Sequence, residues 1–312
     1  MEIKGLSDDN ILKISHIKEE DEWALKYRID SYHNLLKLGL PDFGPKIELD
    51  FDNIIYYKSR QESEIKNNWN DINCSVKNEL DNLGVLESEK HLDGIGVQYE
   101  SEVIYHNMLS ELEEKNVIFT SIEVAMKKYP ELVKKYFGKI VSNNENKFAA
   151  LNGAVFSGGS FIYIPPNTTL DRPLQSYFRI NSRNMGQFER TLIIVDDNSH
   201  LHYVEGCTAP TYSDSSLHAA VVEIYVGKNS SCRYSTIQNW APNVYNLVTK
   251  RALVDENGVM EWIDGNIGSR LTMKYPCCVL KGDNSKGTCI TISVASKTQE
   301  QDSGARMIHL GK

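Results

Sequence analysis

The chain has 312 residues, enough for one large domain or two ordinary ones, and its 41% apolar and 24% charged residues suit a protein with a sizeable core. Its 34 basic and 42 acidic side chains leave a net charge of −8, which argues against a sequence-independent grip on nucleic acid. No stretch approaches the roughly 18 apolar residues of a membrane span, and Met1–Asn10 lacks the basic-then-apolar order of a secretory signal, so a cytoplasmic protein is expected.

Up to about residue 140 the pattern is helical. Leu25, Ile29, Tyr32 and Leu36 recur at helical steps on one face, and Gly39 and Pro41 stop that helix. Residues 41–98 carry a weak apolar signal, and irregular structure is expected there with one helix around 62–82. Thr120 with Glu123 reads as a capping box ahead of Val124 and Met126. Pro130 opens a further short helix ending near Gly138.

From about residue 147 the pattern changes to strands. Phe161–Ile164, Arg190–Val195, His218–Val226, Tyr245–Val254 and Thr288–Val294 are rich in β-branched and aromatic residues. Between them asparagines recur at 167, 198, 229, 257 and 284, at spacings of 31, 31, 28 and 27 residues. A turn returning about every 30 residues is the mark of a repeating coil with a shared core. The expected class is therefore α+β: a mostly helical region over 1–146, irregular over 41–98, then a β-solenoid over 147–312, most simply a parallel β-helix. A large antiparallel sandwich fits the same strands and turns. The sequence ends at Met307–Lys312 inside a strand-like pattern, so the expected solenoid lacks a C-terminal cap.

Six cysteines lie at 74, 207, 232, 277, 278 and 289, in the spacing of neither a disulfide framework, a paired zinc site nor a ferredoxin. Cys207 stands in Gly206-Cys207-Thr208-Ala209-Pro210, just after a strand; Gly206 and Pro210 allow a turn that presents the thiol, against the common alternative of a small buried apolar residue. Arg179 and Lys250 are the cations that would favour its thiolate. Arg179 and Asn181 are two apart on a strand, as are Gln238 and Trp240, so these groups and Lys250 could line one interior channel. The alternative is that Arg179 and Lys250 face solvent, Gln238 caps a turn and Trp240 only packs. Glu189 would bond Arg179 or contact a metal, and His218 could approach Cys207. His200 and His202 form a weak candidate metal pair on one strand face. Cys277 and Cys278 are adjacent and must point to opposite sides, while Cys74, Cys232 and Cys289 read as structural thiols.

Six short words stand in register over about 75 residues. They are Ser176-Tyr177-Phe178-Arg179-Ile180-Asn181, Gly186-Gln187-Phe188-Glu189-Arg190-Thr191, Val204-Glu205-Gly206-Cys207-Thr208-Ala209-Pro210, Leu217-His218-Ala219-Ala220-Val221-Val222-Glu223, Tyr234-Ser235-Thr236-Ile237-Gln238-Asn239-Trp240 and Asn246-Leu247-Val248-Thr249-Lys250-Arg251. In this order they resemble SufB, the scaffold subunit of the SUF iron–sulfur cluster assembly machinery, from Ile118 onward and less securely over Glu22 to Leu38. The resemblance implies a right-handed β-helix core and a scaffold rather than an enzyme. It implies sulfur entry as a persulfide at Cys207, along a route marked by Arg179, Asn181, Glu189, Gln238, Trp240 and Lys250. It also implies a transient iron–sulfur cluster and a set of partners: a SufC-type ATPase, a SufD-type subunit or a second copy, a cysteine desulfurase with its sulfur carrier, and apoprotein acceptors. The family's cluster ligands and its ATPase-docking helix fall beyond Lys312. The rival expectation is a structural SufD-like half of the complex. An enzyme acting on polysaccharide would need clustered outer carboxylates, for which Asp196 and Asp197 are the main candidates.

Overall fold

A computed structural model describes residues 1–59, 64–212 and 215–312. The N-terminal part is not purely helical. It runs β1 (Glu2–Lys4), α1 (Asp8–Ile17), α2 (Glu22–Lys37), β2 (Ile55–Lys58), α3 (Cys74–Asn82), α4 (Val85–Ser88), β3 (Gly94–Tyr99), β4 (Glu102–Met108), α5 (Ser110–Glu114), β5 (Ile118–Ser121), α6 (Ile122–Lys128), α7 (Pro130–Tyr136) and α8 (Lys147–Val155). The helix expected over 62–82 is α3 alone, and residues 62 and 63 of that expectation lie outside the described residues. All six residues of β3 are buried, so the strand has no polar face and no alternation to reveal it.

Two local readings shift by one residue. The cap of α6 is Ser121, whose hydroxyl accepts from the Val124 amide at 3.3 Å; Thr120 lies within β5, and Glu123 turns away to Lys18 and the Gly158 amide. The buried face of α2 is Ala24, Arg28, Ser31, Tyr32 and Leu35, leaving Leu36 exposed. Arg28 goes inside because its charge is fully engaged: its Nε and Nη2 donate to Glu20 at 2.6 and 2.5 Å, and the guanidinium also donates to the carbonyls of Ala154 and Phe156. Ser31 goes inside because Gly153 of α8 leaves room there; a Cβ on Gly153 would stand 2.5 Å from its Oγ.

The remainder is a parallel β-solenoid. Its strands are β6 (Ser160–Ile164), β7 (Leu174–Arg179), β8 (Gly186–Gln187), β9 (Arg190–Val195), β10 (His200–Thr208), β11 (Ser216–His218), β12 (Val221–Val226), β13 (Ser231–Trp240), β14 (Val244–Val254), β15 (Val259–Gly268), β16 (Leu271–Lys274), β17 (Cys277–Leu280), β18 (Lys286–Val294), β19 (Glu300–Ser303) and β20 (Arg306–His309). One wall is the seven-stranded sheet β18-β15-β13-β10-β7-β3-β4, parallel except where β4 turns back on β3. β6, β9, β12, β14, β17 and β20 build the opposite wall, and β8, β11, β14, β16 and β19 a third. Every coil closes at one of the recurring asparagines. Asn167, Asn198, Asn229, Asn257 and Asn284 all adopt positive φ, between 53° and 60°, which asparagine tolerates better than most residues. Their amides also form a ladder: Asn198 donates to Asn167, Asn229 to Asn198 and Asn257 to Asn229, at 3.0–3.2 Å.

The helical part docks on the solenoid through a buried charge. Glu223 of β12 accepts from Arg190 Nη2 at 2.6 Å and from the amides of Gly138, Ile140 and Val141 at 2.8–3.1 Å. Four donors on one carboxylate offset its desolvation.

Candidate functional site

In parallel register, one interior row repeats through successive coils. At the asparagine end the rows are apolar: Leu201, Cys232 and Met260, then Tyr203, Tyr234 and Trp262. Two residues further along the same strands the row becomes Glu205, Thr236 and Asp264, and the next is Cys207, Gln238 and Asn266, all buried. The third wall faces them with another polar row, Gln187, His218, Asn246 and Thr272, again buried.

Cys207 lies within β10, not after it, and its thiol points into this interior. The presentation expected from Gly206 and Pro210 is therefore not seen. Gly206 instead makes room for Tyr177, whose ring a Cβ there would meet at 2.8 Å. Cys207 belongs to one buried cluster with Phe178, Ile180, Met185, Trp240, Ala241 and Val244. The Cys207 thiol donates to Glu205 Oε1 at 3.6 Å, and Gln238 Nε2 stands 4.0 Å from the sulfur. Burial pushes the thiol well above its ordinary pKa, Glu205 and Glu189 push the same way, and Lys250 and Lys274 oppose them.

The charges alternate around that thiol. Lys250 Nζ lies 3.9 Å from Glu205 Oε1 and 3.5 Å from Asp264 Oδ1, and 4.4 Å above the Tyr234 ring. Lys274 Nζ reaches Asp264 Oδ1 at 2.8 Å, Asn266 Oδ1 at 2.9 Å, Thr236 Oγ1 at 3.1 Å and Gln238 Oε1 at 3.4 Å. Tyr234 donates to Glu205, and Thr236 to Asp264 at 2.5 Å. Burial lowers the Lys274 pKa to about 8, with Lys250 adding to the effect against Asp264. Desolvation raises the Asp264 carboxyl, but Lys274 and Lys250 outweigh it and hold it far below its usual range.

Of the route residues, Glu189, Gln238, Trp240 and Lys250 share this interior with Cys207. Arg179 and Asn181 do not. Parallel register sets Phe178 beside Cys207 and Arg179 beside Thr208, so Arg179 takes the outer face. There it donates to Glu79 Oε1 of α3 at 2.9 and 2.5 Å and to Thr208 Oγ1 at 2.9 Å. Asn181 donates to Tyr99 OH and borders a surface cleft of about 500 Å³. Glu189 accordingly bonds His218, not Arg179. His218 Nδ1 meets Asn246 Oδ1 at 2.7 Å, and the imidazole packs on Trp240 with ring centroids 4.7 Å apart. Burial disfavours the imidazolium, but Glu189 more than compensates, and the His218 pKa is raised. Trp240 packs as described, and its Nε1 has no hydrogen-bond partner among the described residues.

His200 and His202 face outward, each bonded to a serine hydroxyl, Ser231 and Ser235. Among the described residues no group of three His, Cys, Asp or Glu side chains is placed to hold a metal ion. Cys278 joins the apolar core, while Cys277 lies on the opposite side of β17 beside Arg251. Cys232 is core, Cys74 is exposed and Cys289 is half-buried.

Sequence reading missed Glu205, Asn246, Asp264, Asn266 and Lys274. A signal existed for three of them: stepping back two residues from Cys207 gives Glu205, and adding the coil repeat gives Thr236, Asp264 and, beside Gln238, Asn266.

The described interior, with its row of polar groups about a buried cysteine, meets a matching sequence pattern. The profile for the SufBD core domain of the SUF system for iron–sulfur cluster assembly matches residues 178–312, and that for the SufBD N-terminal region matches 97–176. The chain belongs to the SufBD family. It is 56% identical over 308 residues to an iron–sulfur cluster assembly SufBD family protein of Staphylococcus saprophyticus, and equally so to one of Staphylococcus aureus strain USA300. The alignment takes in 98% of this chain and 66% of each SufBD relative, so the chain spans just under two thirds of their length. Among the described residues no helix is long and apolar enough to cross a membrane.

Proposed function

We propose that this SufBD chain acts as a SufB-type scaffold in iron–sulfur cluster assembly, with Cys207 as the acceptor of persulfide sulfur. The observation that carries the reading is a buried thiol beside which Lys250 and Lys274 oppose the upward push of burial on its pKa, set among polar groups that a purely structural core has no need of. In the transfer, the Cys207 thiolate attacks the outer sulfur of a donor persulfide. The new sulfur–sulfur bond forms as the donor's breaks, and the donor departs as a thiolate that takes up a proton, with no net oxidation. Iron and sulfide are then the cargo of the scaffold.

The partners in this reading are a cysteine desulfurase with its carrier, a SufC-type ATPase, a SufD-type subunit or second copy, and apoprotein acceptors. The protein works in the cytoplasm and catalyses no reaction of its own; ATP hydrolysis and desulfuration belong to those partners. The full burial of Cys207 favours the second reading, a SufD-like structural subunit, because a sealed thiol needs an opening step before any donor can reach it.

The test is anaerobic incubation of the chain with a desulfurase, its carrier and cysteine, followed by peptide mapping of persulfides. Sulfur appears at Cys207 and is lost in Cys207→Ser, whose fold survives. Equal loading of that variant, or an unmodified Cys207 beside an active donor, rejects the scaffold reading.

A further inference from the structure

Two ammonium groups and one carboxylate, all buried, lie side by side in the polar end of the solenoid. They are not equivalent. Lys274 spends its donors on four oxygens, from Asp264, Asn266, Thr236 and Gln238. Lys250 spends none: its Nζ is buried with no hydrogen-bond partner among the described residues, although two carboxylates stand within 4 Å. A buried ammonium with unused donors is costly, and here it is tolerated through the Tyr234 ring and the nearby charges.

The difference is traceable to how Asp264 is held. Its Oδ1 is taken by Lys274 at 2.8 Å and by Thr236 at 2.5 Å, which fixes the carboxylate with Lys250 at 3.5 Å from Oδ1 and with Oδ2 unpartnered among the described residues. We propose that Lys274 is a positioning residue for the Cys207 thiol: by holding Asp264 it leaves the Lys250 ammonium unspent and available to an anion on that sulfur. Without Lys274 the buried carboxylate would lack its closest cation, and Lys250 is the neighbour within reach to replace it. Cys207 would then lose both favourable charges together. This deepens the persulfide reading above and rests on it for its biological meaning, though not for its test.

The groups that set the ionisation of Cys207 come from every wall. Glu205 and Tyr203 share its strand, Glu189 precedes β9, Tyr177 is on β7 and Tyr234 on β13. His218 is paired with Glu189, and Lys250, Asp264 and Lys274 come from β14, β15 and β16. Among these, Lys274→Met removes a cation and frees Asp264, while Asp264→Asn removes an anion and loosens the hold on Lys274.

The experiment uses the full chain and a small probe, methyl methanethiosulfonate, with modification of Cys207 followed by peptide mass spectrometry from neutral to alkaline pH. Lys274→Met moves the profile to higher pH and slows modification near neutrality about ten-fold, and Asp264→Asn moves it to lower pH by a similar factor. The double variant, which restores charge balance and guards against a single variant that fails to fold, returns to within about three-fold of the parent. Superimposed profiles, shifts of the two single variants in the same direction, or no modification of Cys207 in any chain overturns the proposal. A purely structural Lys274 lowers the melting temperature of Lys274→Met and leaves the pH midpoint fixed, which also overturns it. If the profiles separate as stated but a persulfide donor never loads Cys207, the positioning role stands and the scaffold reading falls.

Discussion

The two ends of the solenoid interior are built on the same strands with the same alternation, yet they are different materials. At the asparagine end Ile193, Ile224 and Ala252 face Leu201, Cys232 and Met260, with Tyr203, Tyr234 and Trp262 stacked behind. At the other end the same inward positions carry Glu205, Asp264, Lys250, Lys274, Gln238 and Asn246. Apolar burial stabilises the first end at about 25 cal/mol per Å². The second end gives that up for charges whose attraction barely offsets their desolvation. A repeat architecture tolerates this because each coil leans on its neighbours, so a well-packed end can carry a poorly stabilised one.

That contrast can be broken from either side. The largest effect belongs to the apolar end: Trp262→Ala leaves a cavity in a fully buried stack and costs about 3–5 kcal/mol, read from urea midpoints. An unchanged midpoint would mean that this end is not the stabilising one. Next is the turn ladder, where Asn229→Ala loses a residue suited to positive φ and its bonds to Asn198 and Asn257, costing about 1–2 kcal/mol. The Asn229→Gly variant recovers the backbone share of that loss.

In the polar end, Glu205→Gln with Lys250→Met removes an opposed pair while keeping an acceptor for Tyr234. Stability shifts by no more than about 1 kcal/mol, and sulfur loading at Cys207 is lost. A fall as large as that of Trp262→Ala would show that the polar end is structural after all.

The remaining tests of the polar end are the pH slopes. The raised pKa of His218 contributes stability that is complete below the unfolded value of 6.5 and fades as pH rises through the folded one. His218→Gln flattens that slope. Lys274 has the opposite character: its pKa falls from 10.5 to about 8, so stability rises as pH climbs through that window and is complete above it. Lys274→Met removes that alkaline gain, checked by urea midpoints across the same range.

Much of the fold could be read in advance. The asparagine spacing located all five coil turns, because a left-handed turn residue is a local requirement that the chain must spell out. The strands Arg190–Val195 and Tyr245–Val254 were read nearly to the residue from β-branched content. The region over 41–98 was harder, because β3 is buried on both faces and its pairing with β7 is contributed by residues far along the chain. The buried face of α2 was misread for a similar reason: Arg28 and Ser31 are polar, and only Glu20 and Gly153 make them interior.

What the sequence determined by itself was the repeat, the alternation along each strand and the presence of a cysteine among polar neighbours, since these follow from backbone geometry and residue order. What the tertiary structure decided was the side on which each polar residue stands. Arg179 and Cys207 lie in adjacent strands and similar words, yet a register offset of one residue sends the guanidinium to Glu79 outside and the thiol to Glu205 within. Side chains alternate every residue, so the pairing of distant strands, which no local signal fixes, sets which groups meet.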